Sequence, residues 1–325
     1  MKVQVLLLFL VSPLSDIGAE DFCRETKGSI LHDQVLIGNV ISSLVTRGIL
    51  SCAQRCLSST PCSSFNYQTS APREGICELN DNQDGDVRSK VALKRGFAFG
   101  RIHRKERPRS CLEAWNRGAR ISGFYCIQDN NDHLYKMYCD LASEPGWAWT
   151  LVTSQSLRYR EEQFASVGLL VDSPENAEMA NWQAYRLPLR KMEELKSQST
   201  HWRVTCCFPT LGVDYRDYVK AEFRKFDILT FSAGRACKEV EYMDVRGHNC
   251  QQCTSAWGQK KNFFLTHRSD VNECGRSSTP DHLNGEQTFG RYKKGRNPNF
   301  RCTSANSSTT NYWFGHKLSI RDSLD

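Results

Sequence analysis

The sequence predicts an α+β protein of two modules, a small one stapled by disulfides and a larger one built mainly from antiparallel strands. Three observations support this prediction. Fifteen cysteines in 325 residues are far more than an intracellular chain usually carries. Residues 111–152 alternate between aromatic and polar side chains, as short strands do. Residues 88–109 hold nine Lys or Arg and a single acid, Glu106, and this shift in composition marks a boundary between modules.

Residues 1–19 have the organisation of a secretory signal peptide. Met1 and Lys2 give a charged start, an apolar run follows from Val3 to Val11, and small residues end the segment near Ala19. Disulfides persist in the oxidising compartment to which such a segment leads. No later apolar run approaches the ~20 residues that span a bilayer. We therefore expect a secreted, extracellular protein without a membrane span.

The first module covers residues 20–97. Cys52 and Cys56 stand four residues apart in a helical segment, which places both thiols on one face of the helix. Two strands are predicted after it, at residues 62–67 and 77–80. A helix with two cysteines, then a C-x-x-F-N-Y strand, then a C-x-L strand resembles the PAN/apple domain in its minimal form.

The PAN resemblance implies two disulfides, Cys56 with Cys62 and Cys52 with Cys77. It also implies a module that binds proteins or carbohydrates without catalysis, the alternative being a structural spacer.

The fifth cysteine of the first module, Cys23, has no partner within it. Because the total count is odd, we expect Cys23 to form a disulfide-linked homodimer or to attach the chain to a matrix partner. A bridge from Cys23 to Cys126 is the alternative, and it would leave the odd thiol among the C-terminal cysteines.

A basic linker is predicted at residues 98–110. Gly100 and Pro108 suit a flexible connector, and Arg101 and Arg104 each begin an Arg-x-x-Arg spacing that processing proteases use. We expect limited proteolysis to cut first between residues 88 and 109. Contact with a heparin-like glycan is the rival interpretation. The net charge of +7 is too modest to indicate a nucleic-acid binder, but it favours adhesion to acidic extracellular glycans.

The second module covers residues 111–325. A hairpin is predicted between Ile121 and Asp140, and a third strand after Gly146. A disulfide that involves Cys111 and Cys139 is expected to staple this block.

This block resembles the opening of fibrinogen-like domains, and the middle of the module is similar to fibrinogen-like and intelectin-like domains. The residues that carry the resemblance are Cys111, Ser122, Gly123, Tyr125, Tyr138, Cys139, Asp140, Gly146, Trp147 and residues 149–151. Pro145 and the extra thiol of Cys126 depart from the family pattern. We expect no cofactor. The resemblance allows calcium, but the acidic pair of the family's calcium loop has no match in this sequence.

Three further elements are predicted downstream. A helix is expected to begin at residues 173–175, because Ser173 can cap it and Pro174 suits its first position. A short helix at residues 189–195 then leads to a strand at residues 201–208. Neighbours on a strand face opposite sides, so Cys206 and Cys207 are expected to reach different partners.

A zinc site is one interpretation of a C-terminal set of metal-ligating residues, namely Cys250, Cys253, His248, Cys274 and Cys302. In a secreted chain oxidation competes for these thiols, so we expect no metal. No catalytic signature flanks any cysteine and no G-x-S-x-G occurs, so we expect no enzyme. Asn306 begins the only N-glycosylation sequon.

The combination of modules resembles secreted cnidarian proteins, among them skeletal organic matrix proteins of stony corals. The resemblance implies an extracellular adhesion or matrix protein that binds proteins or glycans. Because the chain is basic, any role in mineral would be that of an organic scaffold. The alternative is a soluble, lectin-like recognition protein of innate defence, and a secreted enzyme is a distant third.

Overall fold

The structure is a computed structural model. It describes residues 3–5, 23, 27–59, 61–81, 90–103, 107–275 and 277–318. The chain divides into two compact units, one of Met1–Asp16 with Arg24–Glu106 and one of Ile17–Cys23 with Arg107–Asp325. Apart from Val3–Val5, the predicted signal peptide lies outside the described residues. No helix in the described part of the chain is long and apolar enough to cross a membrane.

The first unit is an antiparallel sheet with one helix packed on it. Its elements are β1 (Val3–Val5), β2 (Lys27–Leu36), β3 (Val40–Thr46), α1 (Ile49–Leu57), β4 (Cys62–Gln68), β5 (Gly75–Asp81) and β6 (Val91–His103). The strands follow the spatial order β1-β2-β6-β4-β5-β3. Every neighbouring pair in this order is antiparallel.

Two disulfides fasten α1 to the sheet. Cys52 and Cys56 are fully buried on the inner face of the helix. The structure joins Cys52 to Cys77 of β5 and Cys56 to Cys62 of β4, which are the pairs that the PAN resemblance implies. Phe65 fills the space between helix and sheet. Such a small core gains much of its stability from these cross-links.

The first six residues of the predicted linker form part of a strand. Residues 98–103 belong to β6, which pairs with β2 on one side and β4 on the other. Phe99 is buried, and Gly100 serves close packing, because a Cβ there would lie 2.2 Å from the ring of Phe65. The prediction of a linker at residues 98–110 is therefore wrong over residues 98–103, since Ala98, Phe99, Gly100 and Ile102 are buried in this strand. Residues 104–106 lie outside the described part.

The second unit is a large antiparallel sheet with short helices. Its strands are β7 (Gly123–Gln128), β8 (Leu134–Asp140), β9 (Trp147–Ser156), β10 (Ala184–Arg186), β11 (His201–Cys206), β12 (Tyr218–Glu222), β13 (Ala233–Val245), β14 (His248–Lys260), β15 (Phe263–Arg268), β16 (Gln287–Thr288) and β17 (Thr309–Lys317). Its helices are α2 (Cys111–Asn116), α3 (Gln163–Ser166), α4 (Leu189–Ser197) and α5 (Phe208–Leu211). The strand order is β16-β15-β14-β13-β12-β11-β17-β9-β8-β7, and β10 pairs with β9.

Strand β17 lies at the centre of this sheet, between β11 and β9. Trp313 is fully buried there. Gly315 is required for close approach, because a Cβ at this position would lie 2.2 Å from the ring of Trp149 on β9. The middle of the sheet therefore contains a strand that is distant in sequence from both of its neighbours.

The fold class predicted from the sequence is confirmed. The predicted hairpin corresponds to β7 and β8, and the predicted short helix to α4. No helix begins at Ser173. Glu175 instead exchanges two backbone hydrogen bonds with Arg186 of β10, at 2.9 and 2.8 Å, and this pairing occupies the groups that a first helical turn would use.

The disulfides of the second unit correct the expectation for Cys23. The structure pairs Cys23 with Cys126, so Cys23 is not free for an intermolecular bridge. The other pairs are Cys111 with Cys139, Cys206 with Cys302, Cys237 with Cys274, and Cys250 with Cys253. Cys207 is the one free cysteine among the described residues. It follows β11 in a left-handed conformation with φ of 55°, so the strand predicted over residues 201–208 ends at Cys206. The Cys207 thiol donates a hydrogen bond to the carbonyl of Arg301 at 3.3 Å.

We expect one alkylatable thiol per chain, at Cys207. Protein unfolded without reductant and treated with iodoacetamide should carry one label in the peptide that contains Cys207, and Cys207→Ser should carry none. Non-reducing electrophoresis should show a monomer. A dimer that disappears in Cys23→Ser would contradict the pairing of Cys23 with Cys126.

Candidate functional site

A buried arginine organises the centre of the second unit. Arg203 lies on β11, directly opposite Trp313 of β17 in the strand register. Its side chain is fully buried, and its guanidinium carbon lies 4.5 Å from the ring centroid of Trp149 and 4.9 Å from that of Trp313. Trp202 and Val204 face the opposite side of the strand, as the period of two requires. The two indoles therefore hold the guanidinium through cation–π contacts.

Two carboxylates neutralise Arg203. Nη1 donates a hydrogen bond to Glu144 Oε2 at 2.9 Å, and Nη2 donates to Asp140 Oδ2 at 2.5 Å. All three side chains are at most 3% exposed, so one cation and two anions form a buried cluster of three charges.

Asp140 ends β8 and is held in its ionised form. It accepts hydrogen bonds from Ser122 Oγ at 3.0 Å and from the backbone amide of Ser143 at 3.0 Å. Burial opposes ionisation, but the charge of Arg203 and the hydrogen bonds from Ser143 and Arg203 lower the pKa of Asp140 below its ordinary value.

Glu144 connects the arginine to strand β12. It accepts hydrogen bonds from the Tyr218 hydroxyl at 3.1 Å and from Lys220 Nζ at 3.0 Å. Burial raises the pKa of Tyr218 well above its ordinary value, so this phenol stays a donor. Lys220 also pairs with Glu241 at 3.3 Å. We call the set Asp140, Glu144, Arg203, Tyr218 and Lys220 the charge network.

One end of the charge network opens into a cleft of about 540 Å³. We call it the Trp182 cleft, and its lining is Ser122, Tyr138, Asp140, Ala142, Ser143, Trp182, Phe208, Pro209, Thr210 and Gly212. Tyr138 meets Trp182 edge to face, with ring centroids 4.9 Å apart, and the Trp182 and Phe208 rings are 5.7 Å apart. Three aromatic rings thus stand beside an ionised carboxylate.

Separate elements position the aromatic rings of the Trp182 cleft. Tyr138 and Asp140 lie two residues apart on β8 and so share a face. Phe208 begins α5, where its backbone amide donates a hydrogen bond to Asn311 Oδ1 at 3.2 Å. The carbonyl of Trp182 accepts a hydrogen bond from Ser154 Oγ at 2.7 Å. These contacts tie the loops of the cleft to β9 and β17, so the sheet holds both loops in place.

This arrangement suits a polyhydroxylated ligand. Aromatic faces pack against the apolar C–H face of a sugar ring, and hydroxyl and backbone groups bind its hydroxyls. Asp140 is paired with Arg203, so the cleft has no unpaired charge to attract an ionic ligand.

The residues singled out from the sequence lie apart from this cleft, except Ser122, Tyr138 and Asp140. Asn306 is exposed in a turn before β17, and its glycosylation stays a prediction. The thiols of the zinc interpretation are all in disulfides. The sequence-based predictions did not include Arg203, Glu144 or Trp182 as site residues. The available signal was Arg203 itself, because a charge within an apolar strand implies buried counter-charges.

The comparisons with known proteins identify the first unit. Residues 24–100 match the family model of the PAN domain, which covers less than half of the chain. The fibrinogen-like globe domain of human ANGPTL6 is similar in structure at 12% identity, over 67% of this chain and 98% of that domain, with a TM-score of 0.29. No curated protein matches the chain. The chain therefore contains a disulfide-rich PAN module followed by a domain that is mostly antiparallel sheet.

Removing Arg203 should destabilise the second unit strongly. Arg203→Leu leaves Asp140 and Glu144 buried without a cation, and we expect the free energy of unfolding to fall by about 3–5 kcal/mol. Urea titration followed by tryptophan fluorescence measures this unit, because all seven tryptophans lie in it. The control is Arg224→Leu, which removes a side chain that is 75% exposed and should cost less than about 1 kcal/mol. Equal losses in both variants would contradict the role of Arg203.

The charge network should also make stability fall in acid. The pKa of Asp140 is lower in the folded than in the unfolded chain, where it is about 3.9. The unfolded state therefore binds the proton first as pH falls, so the stabilisation is present above pH ~4 and is lost as pH falls through the folded pKa. Urea midpoints from pH 7 to pH 2.5 should decline more steeply for the wild type than for Asp140→Asn. Parallel profiles would show that Asp140 is not held ionised.

Proposed function

We propose that this protein is an extracellular adhesion protein that binds glycans through the Trp182 cleft. The observation that carries the proposal is the cleft itself, in which the rings of Tyr138, Trp182 and Phe208 stand beside the ionised carboxylate of Asp140. A concave, largely aromatic site with a few oriented polar groups is the usual form of a small-ligand site.

Several features support an extracellular role. Fourteen of the fifteen cysteines are in disulfides, which persist only under oxidising conditions. The PAN module supports adhesion, because PAN modules bind proteins or carbohydrates. We assign protein or glycan attachment to this module and sugar recognition to the second unit.

The proposed activity is binding without chemistry. Asp140 is the carboxylate in the lining of the cleft, and its lowered pKa leaves it without a proton to donate as a general acid. Its basicity is also reduced by Arg203 and its hydrogen bonds, which disfavours a general base.

A matrix protein and a soluble recognition protein would both bind glycans, and they would differ in where the protein is deposited. Incorporation into a skeletal matrix stays a prediction, since neither the PAN match nor the ANGPTL6 similarity bears on it. The Trp182 cleft favours specific recognition of a sugar over a purely structural role.

A glycan array with and without calcium tests the proposal, followed by titration calorimetry with the strongest oligosaccharide. Trp182→Ala should weaken binding at this cleft about tenfold or more, because it removes the central ring of the aromatic surface. The matched control is Trp115→Ala, which removes a partly buried tryptophan outside the cleft and should leave the affinity unchanged. Equal binding by wild type and Trp182→Ala, or no glycan binding by the wild type, would refute the proposal.

A further inference from the structure

A second cleft lies at the other end of the charge network. Its volume is about 340 Å³, and we call it the Tyr242 cleft. Its lining is Tyr215, Tyr218, Lys220, Glu241, Tyr242, Gln251 and Gln252. Tyr218 and Lys220 belong to the charge network, whose opposite end, Asp140, lines the Trp182 cleft. The two clefts therefore share one buried scaffold and no lining residue.

Three tyrosines form one wall of the Tyr242 cleft. The Tyr215 ring centroid lies 5.3 Å from that of Tyr218 and 6.0 Å from that of Tyr242. Tyr218 is buried, whereas the outer ring of Tyr215 is 42% exposed. The Tyr242 hydroxyl donates a hydrogen bond to the backbone carbonyl of Tyr215 at 3.3 Å, which ties the Tyr242 ring to the backbone of Tyr215. The wall is an aromatic surface that is exposed at Tyr215 and buried at Tyr218.

A disulfide builds the opposite rim. Residues three apart on a regular strand face opposite sides, so Cys250 and Cys253 of β14 meet only where the strand is locally twisted. Gln252, between them, has the left-handed φ of 45° that provides this twist. The closed ring holds Gln251 and Gln252 exposed at the cleft, and amides held in place lose little entropy when they bind a ligand.

The polar groups of the Tyr242 cleft favour a neutral ligand. Lys220 is paired with Glu144 and Glu241, so an ionic ligand would have to compete with bonds that the protein already makes. The Tyr215 hydroxyl and the side-chain amide of Gln251 have no hydrogen-bond partner in the described part of the chain. Phenol and amide groups both donate and accept hydrogen bonds, as vicinal sugar hydroxyls do.

We propose that the Tyr242 cleft is a second carbohydrate subsite, which takes a neutral saccharide stacked on Tyr215 and hydrogen-bonded by Gln251. A chain with two separate subsites bridges two glycan strands as a monomer, and multivalent attachment of this kind strengthens adhesion without new contacts. The bridging rests on the proposed function of the Trp182 cleft, whereas sugar binding at the Tyr242 cleft does not.

The test uses the full chain and an array of neutral oligosaccharides that end in hexose, fucose or N-acetylhexosamine, with sialylated and sulfated glycans as the charged set. Titration calorimetry with the strongest neutral oligosaccharide should give two sites in the wild type and one in Trp182→Ala. In the Trp182→Ala background, Gln251→Ala should weaken the remaining site about three- to tenfold. Tyr215→Ala should weaken it at least as much. The control is Gln163→Ala, which truncates an exposed glutamine outside both clefts and should change nothing.

The outcomes separate the two proposals. The second subsite is overturned if Trp182→Ala loses all binding, or if Gln251→Ala and Tyr215→Ala leave the affinity of the remaining site unchanged. Either result leaves the proposal for the Trp182 cleft intact. A wild-type affinity and stoichiometry in Trp182→Ala, with loss in Gln251→Ala, supports the second subsite and overturns the first. Binding of the charged set alone at the remaining site overturns the assignment of a neutral ligand. Tryptophan fluorescence equal to that of the Trp182→Ala parent shows that Gln251→Ala and Tyr215→Ala retain the fold.

Discussion

The second unit depends on one buried cation. Arg203 is taken out of water between two indoles, and such a charge is tolerated only where counter-charges and hydrogen bonds compensate its desolvation. Asp140 and Glu144 supply both, and they come from the end of β8 and from the loop that follows it. The arginine thereby fixes β8, that loop, β11 and β12 relative to one another. Because each cleft takes part of its lining from this set, the geometry of both clefts follows from the same electrostatic requirement.

Local patterns in the sequence were sufficient for much of the fold. The helix with Cys52 and Cys56, the hairpin of β7 and β8, and helix α4 each depend on residues within a few positions of one another. The candidate sites were not accessible in this way. Arg203 lies 59 and 63 residues from the carboxylates that it binds, and no periodicity links positions so far apart. The charged residue within strand 201–206 indicated that partners exist, but not which of the 36 acids they are.

Two errors show where composition misleads. The segment around Gly100 was interpreted by its content of basic residues and glycine, but the run of buried residues from Phe97 to Gly100 decided the structure, because burying aromatic side chains outweighs the cost of ordering the backbone. The odd cysteine count showed that one thiol is left over. It could not show which, since Cys23 and its partner are separated by 103 positions and only the tertiary structure brings them together.

The central position of β17 has a consequence for biosynthesis. Its neighbours β9 and β11 emerge from the ribosome more than a hundred residues before it, and neither can complete its hydrogen bonding until β17 is inserted between them. Until then, Trp149 and the strand that carries Arg203 lack the neighbour that packs beside them in the folded chain. Pairing of this kind is highly non-local, which slows folding and prolongs exposure of apolar edges. We expect a chain truncated before Thr309 to leave β9 and β11 without the partner strand that they share.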